Sequence, residues 1–170
     1  MKFHVDAWNP GFGASQEASE RGPGEASSAK LDTDIEVDAK RWRPMDAPAS
    51  AVAPQRVLLV DGVRRTDARL WIGAHPGLAC SYAAGVVECT PGVARLASAL
   101  VKRTIFTSAE DVSDVGRPPS RYSSESIIGA DEGDLSNAVQ RALIELEIAV
   151  SAAARTDDDL LIVDGPLRSR

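Results

Sequence analysis

The order of hydrophobic and polar positions divides the chain into an irregular N-terminal part and a regular remainder. Residues 9–30 consist mainly of Gly, Ser, Ala, Glu and Pro and follow neither a strand nor a helix period, which predicts a flexible loop. We therefore expect residues 1–50 to form an N-terminal arm, with short ordered pieces at Phe3–Trp8 and Thr33–Val37. Residues 51–170 are predicted to form the core.

Three segments of the core carry strand patterns. Arg56–Asp61 is a continuous apolar run that ends in an acid and Gly62, which is typical of a buried central strand. Thr66–Gly73 alternates between apolar and polar positions, and Leu78–Cys89 is rich in small and β-branched residues. Because the links between them are short, we predict that the three strands are antiparallel neighbours joined by hairpins, the first at Val63–Arg65.

The clearest helical pattern covers Leu135–Arg155, where apolar residues recur at spacings of three and four and Asp134 offers an N-cap. After a polar turn, Leu160–Val163 is a second apolar run that ends in an acid, Asp164. A helix that joins two strands of one sheet makes a right-handed crossover, so the last strand should lie parallel to the first.

The segments between these elements are less regular. Val93–Arg103 is predicted to be a short helix, and Ser108–Gly133 a long loop. The predicted fold class is therefore α/β, with a mixed sheet of three antiparallel strands, a helix and a parallel strand.

Composition and length narrow the class of protein. The 170 residues are 44% hydrophobic and 26% charged, which is the range of an ordinary globular domain. No apolar run approaches the roughly 20 residues of a membrane span, and the first residues lack the apolar core of a signal peptide, so we expect a cytoplasmic protein without a membrane contact. Cys80 and Cys89 stand nine residues apart in one predicted strand, too far for a disulfide, and are expected to be reduced.

The net charge of −6 argues at first against a nucleic-acid partner. The charges are distributed unevenly, however. Residues 51–103 carry seven basic and three acidic side chains, whereas residues 104–170 carry six basic and thirteen acidic ones. A basic middle segment in an acidic chain leaves the question of a nucleic-acid partner open.

Two strands share one pattern, VLLVDG at Val57–Gly62 and LLIVDG at Leu160–Gly165. If they are adjacent and parallel, Asp61 and Asp164 emerge side by side at the same edge of the sheet. Two neighbouring carboxylates stay ionised only with a cation between them, and oxygen ligands favour Mn²⁺ or Mg²⁺. Alternatively, each Asp-Gly is an ordinary turn at the end of a strand.

A metal site of this kind usually needs a third acid. The predicted helix supplies Glu147, which flanks its apolar face and can reach the sheet edge, with Glu145 as the second choice. The simpler interpretation is that both glutamates are solvated helix residues.

The arrangement resembles the ribonuclease H-like fold, in which a first-strand Asp, a helix Glu and a later-strand Asp act together. The DG-containing first strand, the later LLIVDGPL strand and the N-terminal VDAWNPGFGAS are similar to the NurA family of nucleases. The resemblance implies a manganese-dependent DNA nuclease that processes DNA ends with a HerA-type hexameric ATPase. It also implies that Asp61, Glu147 and Asp164 are the metal ligands and catalytic acids.

Two departures from the family pattern qualify the resemblance. Family members often have Ser after the first DG, where this chain has Val63. They also continue well beyond the second DG strand, with further helices and strands and a late histidine that neither His4 nor His75 matches. We therefore expect an N-terminal fragment. Family members resemble dimers, so a homodimer is a further expectation.

A group of arginines surrounds the first strand and its predicted turn, and we predict that it contacts DNA phosphates: Arg56, Arg64, Arg65 and Arg69. The alternative for this group is a solvated hairpin tip. The alternative for the whole chain is a catalytically silent, truncated NurA-like protein that binds DNA or the ATPase partner without cutting.

Overall fold

The computed structural model describes residues 1–7, 37–129 and 131–164. They belong to two units: one contains residues 1–7 and everything described from Pro54 onward, and the other contains residues 37–53, with a 3-10 helix at Ala39–Arg41. The predicted loop over residues 9–30, Trp8 and most of the predicted piece Thr33–Val37 lie outside the described residues.

The first unit is an α/β structure built on a mixed sheet. The strands are β1 (His4–Val5), β2 (Val57–Ile72), β3 (His75–Thr90), β4 (Val93–Thr107), β5 (Ser123–Ser126) and β6 (Leu160–Val163), and helix α1 (Glu132–Ala154) precedes β6. The sheet order is β1-β2-β3-β4-β5, and β6 pairs with β2. The pairs β1–β2, β2–β3 and β3–β4 are antiparallel, whereas β4–β5 and β2–β6 are parallel. The predicted mixed sheet, helix and parallel last strand are confirmed.

The prediction that the first strand ends at Asp61 and Gly62 is wrong. The hairpin predicted at Val63–Arg65 is absent, and Thr66–Gly73 is not a separate antiparallel neighbour but lies almost entirely within the same strand, β2. β2 is 16 residues long and runs past both residues to Ile72, and Asp61 is paired with Gly85 within the β2–β3 ladder. Asp-Gly favours a turn only where the chain must reverse, and here an unbroken partner strand keeps both residues extended. The reversal comes at Gly73, whose φ of 61° is the left-handed conformation that glycine adopts without strain.

The short helix predicted over Val93–Arg103 is also wrong, because this segment belongs to β4. β4 follows a second tight turn at Gly92, with φ of 78°, and pairs with β3 from Thr90↔Val93 to Gly77↔Thr107. The alanines and leucines of this segment favour a helix locally, but the pairing with β3 overrides that preference. The predicted loop over Ser108–Gly133 is interrupted by β5.

Helix α1 packs on one face of the sheet and forms the main core. Its N-cap is Asp131 rather than the predicted Asp134, which instead completes a capping box from the third helical position. The core contains these fully buried side chains: Leu58, Val86, Phe106, Val139, Leu146 and Val150. Among the described residues, no helix is both long enough and apolar enough to cross a membrane.

The opposite face of the sheet, called the open face below, is covered only in part. At the turn end of β2 and β3, the segment after β4 packs onto it, and Ile72, Ala79, Ile105 and Ala109 form a second small core there. At the start of β2 the same face is exposed, with Leu59 at 41% and Ile162 at 46% of their full accessibility.

Candidate functional site

The register of β6 on β2 places the two predicted aspartates in adjacent positions. The parallel ladder runs from Val57↔Leu160 to Val60↔Val163, and the next residues are Asp61 and Asp164. Neighbouring strands lie about 4.8 Å apart, so the chain positions of the two acids are next to each other where β6 ends. The parallel pairing of the two strands is confirmed, and a shared carboxylate site stays a prediction. Both side chains are exposed.

Asp61 lies on the open face of the sheet. Side chains alternate along a strand, and Leu58, Val60 and Gly62 are buried on the side that α1 covers, so Asp61 between them points the other way. The Gly62 backbone N–H donates to Asp61 Oδ1 over 2.8 Å, which orients the carboxylate.

Glu147 lies on the helix side of the sheet. A methyl group added at Gly62 would overlap with the Glu147 carboxylate and would come within 2.8 Å of Leu143 Cδ1, so this part of α1 lies directly over Gly62. Glu147 therefore lies on the opposite side of the sheet from Asp61, whereas Asp61 and Asp164 both directly follow the last register pair of β2 and β6.

Glu145, the second choice for a helix ligand, is also remote from the aspartates. It lines a cavity of about 350 Å³ together with Glu125 and Arg141, beside β5 at the other edge of the sheet. Within residues 1–7, 37–129 and 131–164, no group of three or more His, Cys, Asp and Glu side chains is arranged to hold a metal ion.

The four arginines predicted to contact DNA do not form one patch. Arg56 and Arg64 lie on the helix side, where Arg64 Nη1 donates to Gln140 of α1. Arg69 pairs with Glu132 in the first turn of α1. Arg65 stands four residues after Asp61 on the open face, and its Nε donates to Asp67 over 2.8 Å. Only Arg65 therefore shares the face of the aspartates.

Arg56 is the centre of a polar junction behind the sheet. Its Nε donates to Glu88 Oε2 over 2.9 Å, its Nη1 donates to Asp159 Oδ2 over 2.7 Å, and its Nη2 donates to the Ala154 carbonyl at the end of α1 over 2.9 Å. The Glu88 and Asp159 side chains are only 9% and 4% exposed. A guanidinium committed to three internal acceptors has little capacity left for a phosphate.

The junction shifts the pKa values of both acids. Hydrogen bonds from the Arg95 guanidinium and then from Arg56 hold the pKa of Glu88 below its usual range, against the opposing effect of burial. The backbone N–H of Thr156, followed by its hydroxyl and by Arg56, does the same for Asp159. Both acids are therefore held as carboxylates.

Sequence reasoning missed Glu88 and Asp159, and identified the segment that contains Asp159 only as a polar turn. One signal was present: Arg56 directly precedes the VLLVDG pattern, and Asp159 directly precedes the matching LLIVDG pattern. Opposite charges at the same position before two parallel strands predict an ion pair across them.

The two cysteines are free, as predicted. Both lie on β3. Burial in the main core raises the pKa of Cys80 to about 12, which leaves this thiol protonated and unreactive at neutral pH.

No family model matches the chain, and no curated protein matches it. The likeness to NurA nucleases therefore rests on the short motifs around Asp61 and Asp164 and at the N-terminus.

Proposed function

We propose that the chain is the ribonuclease H-like core of a NurA-type, metal-dependent DNA nuclease, which hydrolyses phosphodiester bonds during the processing of DNA ends. The observation that supports this proposal best is that Asp61 and Asp164 directly follow the last register pair of the β2–β6 ladder, Val60↔Val163. The antiparallel strands β2, β3 and β4, followed after β5 by helix α1 and by β6 parallel to β2, also support the proposed fold.

Two exposed carboxylates on neighbouring strands are a suitable donor set for one Mn²⁺ or Mg²⁺ ion, because both metals prefer oxygen ligands. Asp61 and Asp164 would hold this ion. When bound, it supplies Lewis acidity towards a phosphodiester oxygen. Glu147 lies across the sheet and does not fit the same ion, so we assign the site to the two aspartates alone.

The open face also limits how DNA would approach. Of the four arginines first assigned to DNA, Arg65 is the one on this face, about 13 Å from Asp61 at the usual rise of a strand. Its Nε is used by Asp67, which leaves the Nη groups for a phosphate oxygen. Arg65 would thus position the DNA strand beside the two aspartates. A HerA-type hexameric ATPase remains the proposed partner.

The test is Mn²⁺-dependent cleavage of single-stranded and double-stranded DNA. Asp61→Asn and Asp164→Asn preserve size and remove charge, and each should reduce the rate at least tenfold, since one carboxylate binds the cation poorly. Asp111→Asn, at an exposed acid of the loop after β4, is the matched control and should leave the rate unchanged. Cleavage by Asp61→Asn at the rate of the unmodified protein would sink the assignment.

A second candidate function is a binding module that holds DNA or the ATPase partner without cutting. The position of Glu147 across the sheet from Asp61 favours it, because the described residues then provide no group of three acids that could hold a metal ion. DNA binding measured in EDTA, together with no cleavage in Mn²⁺ by any variant, would support the binding module over the nuclease.

A further inference from the structure

The apolar pattern of β2 and β6 leaves their mutual register unspecified. β2 begins with Val57–Val60 and β6 is Leu160–Val163, so each strand presents four consecutive branched apolar residues. A register is normally fixed because a slip of one residue would turn apolar side chains to solvent. Here a slip replaces one apolar residue by another on both faces, so hydrophobic burial does not select the observed pairing.

Charged residues select it instead. Arg56 and Asp159 stand directly before the first register pair, Val57↔Leu160. Arg56 Nη1 donates to Asp159 Oδ2 over 2.7 Å, and the Leu160 N–H donates to the Arg56 carbonyl over 3.2 Å. A slip of one residue displaces Asp159 by about 3.3 Å, which is enough to break a hydrogen bond of this length.

Both partners are themselves fixed in place. Asp159 Oδ2 accepts from the Thr156 N–H over 2.6 Å and from the Thr156 hydroxyl over 3.1 Å. The Arg56 guanidinium is tied to β3 through Glu88 and to the end of α1 through the Ala154 carbonyl. The junction therefore joins the start of β6 to three other elements and defines one position for it along β2.

We propose that Arg56 is a positioning residue: by pairing with Asp159 it sets the register of β6 on β2 and so brings Asp164 beside Asp61. The effect on catalysis rests on the proposed function, whereas the effect on register does not. A slip of two residues, which keeps each side chain of β6 on its own face, would place Asp164 beside Leu59 or Val63 and separate the two carboxylates.

Disulfide trapping measures the register directly. In a Cys89→Ser background, Leu59→Cys with Ile162→Cys reports the observed pairing, since both positions are exposed register partners. Leu59→Cys with Leu160→Cys reports a slip of two residues, which keeps both side chains on the open face. Cys80 stays in place because its pKa of about 12 makes it unreactive at neutral pH.

With Arg56 present, the register pair should oxidise at least about tenfold faster than the slipped pair, because a disulfide requires Cα atoms within about 7 Å. Arg56→Gln and Asp159→Asn should each reduce this ratio to about threefold or less. Arg56→Lys should give an intermediate ratio, since an ammonium keeps the charge but not the planar fork.

Arg95→Gln separates positioning from general stability. It removes the other guanidinium on Glu88, bound over 3.0 Å, and leaves Arg56 and Asp159 paired. It should lower the unfolding midpoint without changing the ratio. An unchanged ratio in folded Arg56→Gln, or an equal loss in Arg95→Gln, would overturn the proposal.

The two proposals fail independently. A collapse of the ratio in a protein that does not cleave DNA would leave the positioning role intact and remove the nuclease. Cleavage that depends on Asp61 but persists fully in Arg56→Gln, with an unchanged ratio, would support the nuclease and contradict the positioning role of Arg56.

Discussion

Replacing Gly62 by alanine tests the placement of the candidate site most directly. Gly62 follows Asp61 in β2. Asp61 lies on the open face, and Gly62 lies on the opposite face, directly under α1. Its backbone has no left-handed φ, so alanine is conformationally acceptable there. The added methyl group would meet Leu143 Cδ1 at 2.8 Å, well inside van der Waals contact, and would overlap with the Glu147 carboxylate.

The magnitude follows from two opposing effects. Forcing a methyl group into a packed interface costs about 1–3 kcal/mol, and the buried Leu143 has little space to move into. Alanine also restricts the unfolded chain relative to glycine, which returns about 0.4–1 kcal/mol. We therefore expect Gly62→Ala to lower the free energy of unfolding by about 1–2 kcal/mol.

Gly85→Ala is the matched control. Gly85 lies in β3 and is the register partner of Asp61. A methyl group added there would have the Ser98 carbonyl as its nearest neighbour, at 3.5 Å, which is an ordinary van der Waals contact. This variant should gain about 0.5 kcal/mol through the unfolded chain alone. Urea denaturation at pH 7 measures both values.

A double variant identifies the cause of the loss. Leu143→Val removes the δ-carbons that the new methyl group meets, so Gly62→Ala should cost less in that background than in the unmodified chain. If Gly62→Ala is as harmless as Gly85→Ala, then α1 does not lie over Gly62. The assignment of Asp61 and Glu147 to opposite sides of the sheet would then be refuted.

Two further predictions concern the core and the junction. Leu146→Ala should cost about 2–5 kcal/mol in urea denaturation because this side chain is 1% exposed, whereas Ile148→Ala, at a position 42% exposed on the same helix, should cost under about 1 kcal/mol; equal losses would contradict the packing. The pKa values of Glu88 and Asp159 are lowered in the folded protein, so both acids stabilise it above their unfolded pKa values, near about 4, and this stabilisation is lost as the pH falls through their folded pKa values. The free energy of unfolding should therefore drop below about pH 4, and it should drop less steeply in Arg56→Gln. Identical pH profiles for the two proteins would count against the junction.

The elements that could be predicted from sequence are those whose pattern has one solution. Helix α1 was predicted within a few residues, because its apolar positions recur at helical spacing over six turns. The last strand was predicted at Leu160–Val163 and parallel to the first, because a helix between two strands of one sheet permits one crossover hand. Local signals failed where pairing with another strand decides the outcome, as at Val93–Arg103, which pairs with β3 along its length.

The candidate site was predicted in part for a related reason. The parallel pairing of the strands that precede Asp61 and Asp164 follows from two matching patterns with a helix between them. Whether Asp61 faces Glu147 depends on which face of β2 the helix covers. Odd-numbered and even-numbered residues at this end of β2 lie on opposite faces, so the sequence would have to show which of the two sets is buried. An alternating strand would have answered it, but Val57–Val60 is apolar at every position and is compatible with either answer.

The same four residues explain why the junction matters. A strand that is apolar on both faces is insensitive to its register as well as to its orientation, so the position of Asp164 has to be defined by groups outside the strand. The nearest ones are Arg56 and Asp159, and the structure pairs them at 2.7 Å. Arg56, one of the four arginines first assigned to DNA, is thus a half-buried residue bound to acceptors of the protein itself. It would act on a substrate only through the relative positions of Asp61 and Asp164.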